Sequence, residues 1–290
     1  MKRKVLFAAS VASMIEQFNM PNIRLLLEMG FEVHVACNFV DGNTCDLEVI
    51  HRLKQKMQRM GVILHQWDCP RTMYSYKCCR RAYQQIKKLA AETEAEFLHC
   101  HSPVGGALAR IAVKNIAARK IKTIYTAHGF HFYDGAPLKN WILYYSAEKI
   151  LSLWTDVLIT VNREDYLFAK QHLYAKKIYY IPGVGVDTAK FAKTGKGTEK
   201  IQRKEFCAKY DIPEYAKILL SVGELSERKN HQEVIQAVAD LSRHDVYYLI
   251  CGQGKLEEQL KEQAKALNVE KYIRLVGFQK DVKTFYQNAD

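Results

Sequence analysis

Five short stretches of the 290-residue sequence hold residue types that could do chemistry. HCHSPVGG, His99 to Gly106, sets two histidines at alternate positions of an apolar run, so a β-strand carries both on one face. The small residues behind them, Gly105 included, let a following helix start close to a ligand. A metal would need a third ligand, and no cysteine or carboxylate stands at ligand spacing here, so hydrogen-bonding histidines are expected and a metal is not. YTAHGFHFYDGAP, Tyr125 to Pro137, carries His128, Gly129, His131 and Asp134 where a strand runs out into a loop. A lone loop histidine more commonly satisfies nearby backbone groups; two of them beside a glycine at a strand's carboxyl end shift the balance toward a site. The other three stretches are glycine-bearing turns: VGELSERKN around Gly223, CGQGKLEEQL with Gly252 and Gly254, and VGFQKD with Phe278. Arg228 and Lys229 ahead of a helix amino terminus suit a phosphate or diphosphate. Taken alone, a solvated surface pair explains them equally well. G-x-G by itself is weak, and the full dinucleotide fingerprint is absent.

The elements that must position these groups alternate short apolar strands with amphipathic helices, the pattern of an α/β parallel sheet. Strands are expected at Lys4–Ala9, Glu32–Cys37, Val62–Trp67, Glu96–His101, Lys122–Ala127, Val157–Val161 and Ile178–Ile181. One helix begins near Pro21 and stops before Gly30. Another spans Leu47 to Met60, and its stripe of Val49, Leu53, Met57 and Met60 reads as core. IPGVGVDTAKF, then a Lys- and Gly-rich run to about Lys204, mark the domain boundary. The expected division is 1–190, a linker over 191–210, and 211–290. The last part offers strands at Lys217–Val222, Val246–Cys251 and Tyr272–Val276, with helices at Gln232–Ser242 and Lys255–Leu267: half of a doubly wound sheet. Three glycine turns at one edge of it would converge on one crevice, while Ile218, Leu219 and Leu220 would lie on an unpaired edge.

The eight cysteines show no C-x-x-C pairing and several sit in apolar strands, which favours a reducing cytoplasm. The start, MKRKVLFAAS, reads as a first strand rather than a signal peptide. No run approaches the roughly 18 apolar residues of a membrane span. The net charge of +12 is uneven. His51 to Ala90 holds ten basic residues against a single acid, Asp68. A solvated helix surface is the commoner meaning of such a run; the sharper one is a face for anionic lipid or a lipid-linked diphosphate. No recognisable nucleic-acid module accompanies the charge, so no nucleic-acid partner is expected.

In this order, HCHSPVGG, YTAHGFHFYDGAP, VNREDY with Asn162, Glu164 and Asp165, IPGVGVD, GELSERKN, CGQGKL and VGFQKD resemble family-4 retaining glycosyltransferases of the GT-B architecture, in the branch that builds bacterial capsular and extracellular polysaccharides. The resemblance runs through essentially the whole chain. It implies an α/β fold of two Rossmann-like domains facing across a cleft, the first holding the acceptor and the second the nucleotide-sugar donor. It implies transfer of a sugar, from a UDP-sugar by expectation, to a lipid-linked saccharide, with retention and with neither metal nor other cofactor. The enzyme would be cytoplasmic, peripheral on the inner face of the plasma membrane and in contact with its anionic surface. By position, His128 matches the histidine that meets the donor sugar and Lys229 the diphosphate-binding lysine. Gly129, Gly223, Arg228, Gly252, Gly254 and Phe278 fall on the donor side; Ser13, His99, His101 and Gly105 fall on the acceptor side.

Two departures from the family pattern stand out. Many members carry arginine directly after the glycine of the GEL segment, where this chain has Glu224, with Arg228 as a substitute in charge. Members also continue into a strand and a loop with two glutamates seven residues apart, about where Asp290 ends this sequence. The second domain is therefore expected to be incomplete, the chain truncated at its carboxyl end, and sugar transfer by it poor or absent. The alternatives are a non-catalytic partner that binds the acceptor or completes another subunit, and, less favoured, a nucleotide-sugar epimerase, for which no convincing set of catalytic acids is seen.

Overall fold

The fold is a computed structural model that describes residues 2–73, 75–116, 121–192 and 196–290, with backbone alone for 196–201. It divides into two compact units, Met1–Gly185 and Val186–Asp290. The first is built on seven parallel strands: β1 (Lys4–Val11), β2 (Glu32–Asn38), β3 (Ile63–Gln66), β4 (Phe97–His101), β5 (Lys122–Ala127), β6 (Val157–Thr160) and β7 (Lys177–Tyr180). Their order across the sheet is β3-β2-β1-β4-β5-β6-β7. The order reverses between β1 and β4, which is where open α/β sheets leave a crevice at their carboxyl ends. Register places Phe7 beside His99 and His101 beside Thr126, two successive rungs on one face of the sheet near that end.

Buried strands read as continuous apolar runs because helices cover both faces. One face carries Leu6, Ala8, Trp67, Leu98 and Leu158; the other carries Val5, Phe7, Val33, Val35 and Met57. The expected strands match these within a residue or two, β1 running on two residues to Val11. The helix Leu47–Arg59 buries Ile50, Leu53 and Met57, while Val49 and Met60 lie at the margin. Between Val11 and the helix Met20–Glu28, residues Ile15–Asn19 form a π-helical turn, a local widening that brings Phe18 toward the carboxyl edge of the sheet.

The helix Pro103–Lys114 packs against β5 with almost no clearance. A Cβ on Gly106 would stand 2.6 Å from the Tyr125 ring. One turn later Arg110, 1% exposed, lies over that ring at 3.9 Å, donates from Nε to Gly106 O, and grips Glu148 with both terminal nitrogens at 3.0 Å. Glu148 belongs to the helix Ser146–Ser152, so one buried ion pair ties two helices and a strand together.

The second unit has β8 (Lys217–Val222), β9 (Val246–Cys251) and β10 (Ile273–Gly277), all parallel, in the order β10-β9-β8. Most of the expected linker belongs to this unit instead. The helix Lys196–Lys209 places Phe206 and Cys207 in the second core, and Arg203 donates to the carbonyls of Glu214, Ala216 and Asn288. Its Lys- and Gly-rich first half masks a single apolar turn, which composition averages away. Residues 193–195 of that stretch lie outside the described residues. Among the described residues β9 is the one strand partner of β8, whose outer edge begins with a backbone rung to Asp290: Asp290 N–H donates to Ile218 O, and Ile218 N–H donates to the Asp290 carboxylate. Among the described residues no helix is long and apolar enough to cross a membrane, and all eight cysteines are free.

Removing Arg110 leaves the Glu148 carboxylate buried without its partner. Arg110→Ala is expected to cost about 3–5 kcal/mol in urea unfolding, whereas Arg110→Met combined with Glu148→Leu recovers most of the loss.

Candidate functional site

In the first unit the carboxyl ends of β1, β4 and β5 gather aromatic and imidazole rings around Thr126. His101 stacks on Phe7 at 4.6 Å between ring centroids and lies 4.4 Å from His99. His99 Nε2 is 2.9 Å from Thr126 Oγ1, and His101 Nδ1 is 3.1 Å from His128 Nε2. Phe18 closes the far side of His128 at 5.7 Å. Two histidines expected from strand periodicity and one from the following loop are thus brought into a single chain of contacts. His131 is turned away, against Tyr144 at 4.7 Å, and its carbonyl accepts from Asn140, so it serves the loop.

Burial keeps these rings neutral. It lowers the His128 pKa, lowers His99 to about 4 with help from His128, and takes His101 well below the ordinary histidine value with His99 and His128 adding to the effect. Among the described residues no three His, Cys, Asp or Glu side chains converge as a metal site. The cluster can donate and accept hydrogen bonds toward a polar ligand without placing positive charge there.

The loop that carries His128 is pinned by VNREDY. Asn162 caps the helix Arg163–His172 by accepting from Asp165 N–H at 2.7 Å, and the buried Asp165 carboxylate accepts from Phe130 N–H at 3.0 Å and from Asn162 Nδ2 at 2.7 Å. Burial raises the Asp165 pKa in spite of these bonds. Gly129 between them has φ +124°, which only glycine adopts without strain. Sequence spacing marks Asn162 and Asp165 without saying what they hold.

Ser102, which opens the helix Pro103–Lys114, has φ +67° and ψ 150°, a region costing about 1–3 kcal/mol outside glycine. Its hydroxyl bonds Ser10 Oγ, and a Cβ on Gly105 would stand 2.7 Å from the same Ser10 oxygen. Gly105 is therefore where backbone, Ser10 and Ser102 meet. Ser13 is buried and spent on structure: its N–H donates to Asn43 Oδ1 and its Oγ accepts from Thr44 N–H. Beyond Ser10, a cavity of about 440 Å³ is lined by Asn38, Gln66, Asp68, Arg71 and Arg81 at the ends of β2 and β3. Asp68 there accepts from Gln66 and Gln85 and pairs with Arg81 at 2.6 Å, a network that spans a strand end and a helix and has no signature in local sequence.

In the second unit the three glycine turns do meet. Gly223 N–H donates to Cys251 O and Gly252 N–H to Gly277 O, so the turns lie side by side along the carboxyl edge of β8, β9 and β10. A cavity of about 300 Å³ is lined by Gly223, Glu224, Gly252, Gln253, Phe278 and Gln279, among others. Gly252 and Gly254 permit the close approach: a Cβ on the first would fall 1.8 Å from Gly223 O, and on the second 2.3 Å from Leu225 O. The Lys229 stem lies over Gly223, and Arg228 is exposed on the same turn. The helix His231–Leu241 begins at Asn230 with no side-chain cap, leaving its first N–H groups available. His231, buried, bonds the Tyr248 hydroxyl with Nδ1 and donates from Nε2 to Glu224 O, which fixes the turn from beneath. Sequence inspection passes over His231 because it reads as one more helix-start residue.

Comparisons with known proteins agree with this layout. The profile for Glycosyltransferase Family 4 matches residues 23–190, and that for Glycosyl transferases group 1 matches residues 202–290. The putative glycosyltransferase EpsD of Bacillus subtilis is 34% identical over 293 residues, covering 100% of this chain and 72% of the relative. A shorter match, 41% identical over 68 residues and covering 23% of this chain and 18% of the relative, is to the N-acetylgalactosamine-N,N'-diacetylbacillosaminyl-diphospho-undecaprenol 4-alpha-N-acetylgalactosaminyltransferase of Campylobacter jejuni. Among solved structures, Anabaena HepE in complex with UDP-glucose aligns with a TM-score of 0.68 at 15% identity, covering 99% of this chain and 72% of that one. Such a likeness speaks for the fold, the two-unit α/β architecture of GT-B glycosyltransferases.

The neutral histidines carry a pH signature. The unfolded chain takes up a proton at His99 as pH falls through about 6.5, which the folded chain refuses until about 4. Stability from this residue is therefore complete above pH 6.5 and lost between there and pH 4, by about 3 kcal/mol. Urea unfolding at pH 7.5 and 4.5 is expected to show a smaller loss for His99→Gln than for the unchanged protein.

Proposed function

The chain belongs to glycosyltransferase family 4, and on that premise we propose that it moves a sugar from a UDP-sugar to a lipid-linked saccharide during surface-polysaccharide synthesis, with retention of anomeric configuration. The observation that carries the donor assignment is the cavity in which all three glycine turns of the second unit meet. Its floor is backbone that a nucleotide can approach closely, with Lys229 over Gly223 beside an uncapped helix amino terminus, a setting that favours a diphosphate. Lys229 neutralises the leaving diphosphate, Arg228 adds charge from the same turn, and Gly252, Gly254 and Phe278 shape the nucleotide pocket. His128, on its pinned loop, meets the donor sugar; Gly129 gives that loop its turn.

The acceptor is assigned to the first unit, along the face that His99 and His128 present, with the buried His101 and the Ser10–Ser102–Gly105 junction supporting that face from within. The Campylobacter relative is named for a diphospho-undecaprenol substrate, and an acceptor of that chemistry fits the basic segment His51–Ala90. There Arg71, Lys77 and Arg80 are exposed beside exposed Met73 and Tyr76, a mix that suits an anionic membrane surface on the cytoplasmic side.

Purified protein incubated with radiolabelled UDP-sugars and membrane lipid acceptors tests the proposal: a labelled lipid fraction, with the product's anomeric configuration read by NMR, would support transfer over the poor or absent turnover expected from the sequence. Donor binding without transfer to any acceptor would favour the non-catalytic partner. His128→Ala should lower kcat about 10²- to 10³-fold with the fold intact. Lys229→Ala should weaken UDP-sugar binding about 10- to 100-fold by calorimetry. In flotation assays the protein should follow vesicles rich in anionic lipid and leave neutral ones; equal recovery with both would remove the membrane assignment.

A further inference from the structure

His101 holds a proton-placement problem that the transfer reading leaves open. Its ring is 1% exposed, its Nδ1 faces His128 Nε2 at 3.1 Å, and its Nε2 is sealed from solvent with no hydrogen-bond partner among the described residues. A neutral imidazole has one N–H and one lone pair, so the contact between the two rings can be drawn in two ways. If His128 donates from Nε2, His101 carries its proton on Nε2 and a buried N–H is left without an acceptor. If His101 donates from Nδ1, the orphan is a lone pair. Orphaned buried N–H groups are the rarer and costlier of the two. The doubly protonated form would bury a charge and still strand an N–H; burial, with His99 and His128 beside it, holds the His101 pKa well below the ordinary value.

We propose that His101 is a positioning residue that fixes His128 as the Nδ1–H tautomer, so that the loop histidine offers its ligand a hydrogen-bond donor rather than a lone pair. Neutral histidine in water favours the opposite, Nε2–H, form. The contact with His101 reverses that preference, and the stack on Phe7 with His99 alongside keeps the His101 ring in the plane that allows it. His128 is partly exposed, and its Nδ1 has no partner among the described residues, which leaves that N–H for an oxygen acceptor. On the transfer reading, on which this last step rests, the acceptor is a hydroxyl or phosphate oxygen of the sugar donor. A neutral donor there can orient an oxygen without the long-range attraction of an imidazolium.

The test is a long-range proton–nitrogen NMR spectrum of the full chain labelled at histidine, assigned with His128→Asn and recorded without substrate at pH 7.5. His128 should show a protonated Nδ1 and an unprotonated Nε2. In His101→Asn, whose amide N–H occupies nearly the place of the ring Nδ1–H, His128 should keep that form; in His101→Leu it should revert toward Nε2–H. An Nε2–H form of His128 in the unchanged protein overturns the proposal, as does an unaltered tautomer in a folded His101→Leu. In transfer assays His101→Leu should lose about tenfold in kcat with donor KM unchanged, the scale of one positioned hydrogen bond, and His101→Asn should restore most of it. If His101→Leu does not fold, the spectra of the unchanged protein and His101→Asn decide alone. The spectrum needs no substrate, so a failure of transfer by the unchanged protein would count against the enzymatic assignment and leave the tautomer result standing.

Discussion

The helix Pro103–Lys114 can lie on β5 only because position 106 has no side chain, and much of the first unit follows from that contact. With Gly106 against the Tyr125 ring, Arg110 reaches Gly106 O, the ring face and Glu148 together. A guanidinium 1% exposed is tolerable because both terminal nitrogens and Nε are satisfied and its counter-charge is enclosed with it. The helix is thereby drawn so near the sheet that the chain leaves β4 through Ser102 at positive φ. The strain and the close approach both fall beside His101, so the rigidity of the helix is passed to the site's most buried histidine.

Around that point polar chemistry is held without net charge. His99, His101 and His128 are neutral by burial, and the carboxylate that anchors the His128 loop, Asp165, is turned to the backbone of that loop. The second unit takes the opposite course, with exposed Arg228 and Lys229 beside free helix N–H groups. A neutral hydrogen-bonding row can orient hydroxyls, while cations beside helix N–H groups favour a phosphate.

The parallel strands and the glycine turns were legible in the sequence because each depends on local pattern. Apolar runs of four to eight residues between turn signals give β1 to β10 nearly in place, and the i, i+2 spacing of His99 and His101 puts both on one face of β4. The helix Lys196–Lys209 was not legible, since one apolar turn behind a Lys- and Gly-rich start carries too little periodicity to separate it from a linker. Ser13 illustrates the opposite difficulty. A small polar residue at the right place in the chain suggests ligand contact, yet here it is consumed by Asn43 and Thr44 of a loop thirty residues away.

What the sequence by itself determined was the succession of strands, helices and glycine turns, and with it the identity of the residues at the carboxyl edges, because backbone propensity and period are encoded within a few neighbouring positions. Only the tertiary structure decided that His128 leans on His101, that Asp165 holds Phe130, and that His231 props the Gly223 turn. Those contacts join residues 7 to 35 positions apart, brought together by strand register and by how closely helices settle on the sheet. Protonation and tautomer follow from burial and partners, so the chemistry available to each histidine is a property of the fold.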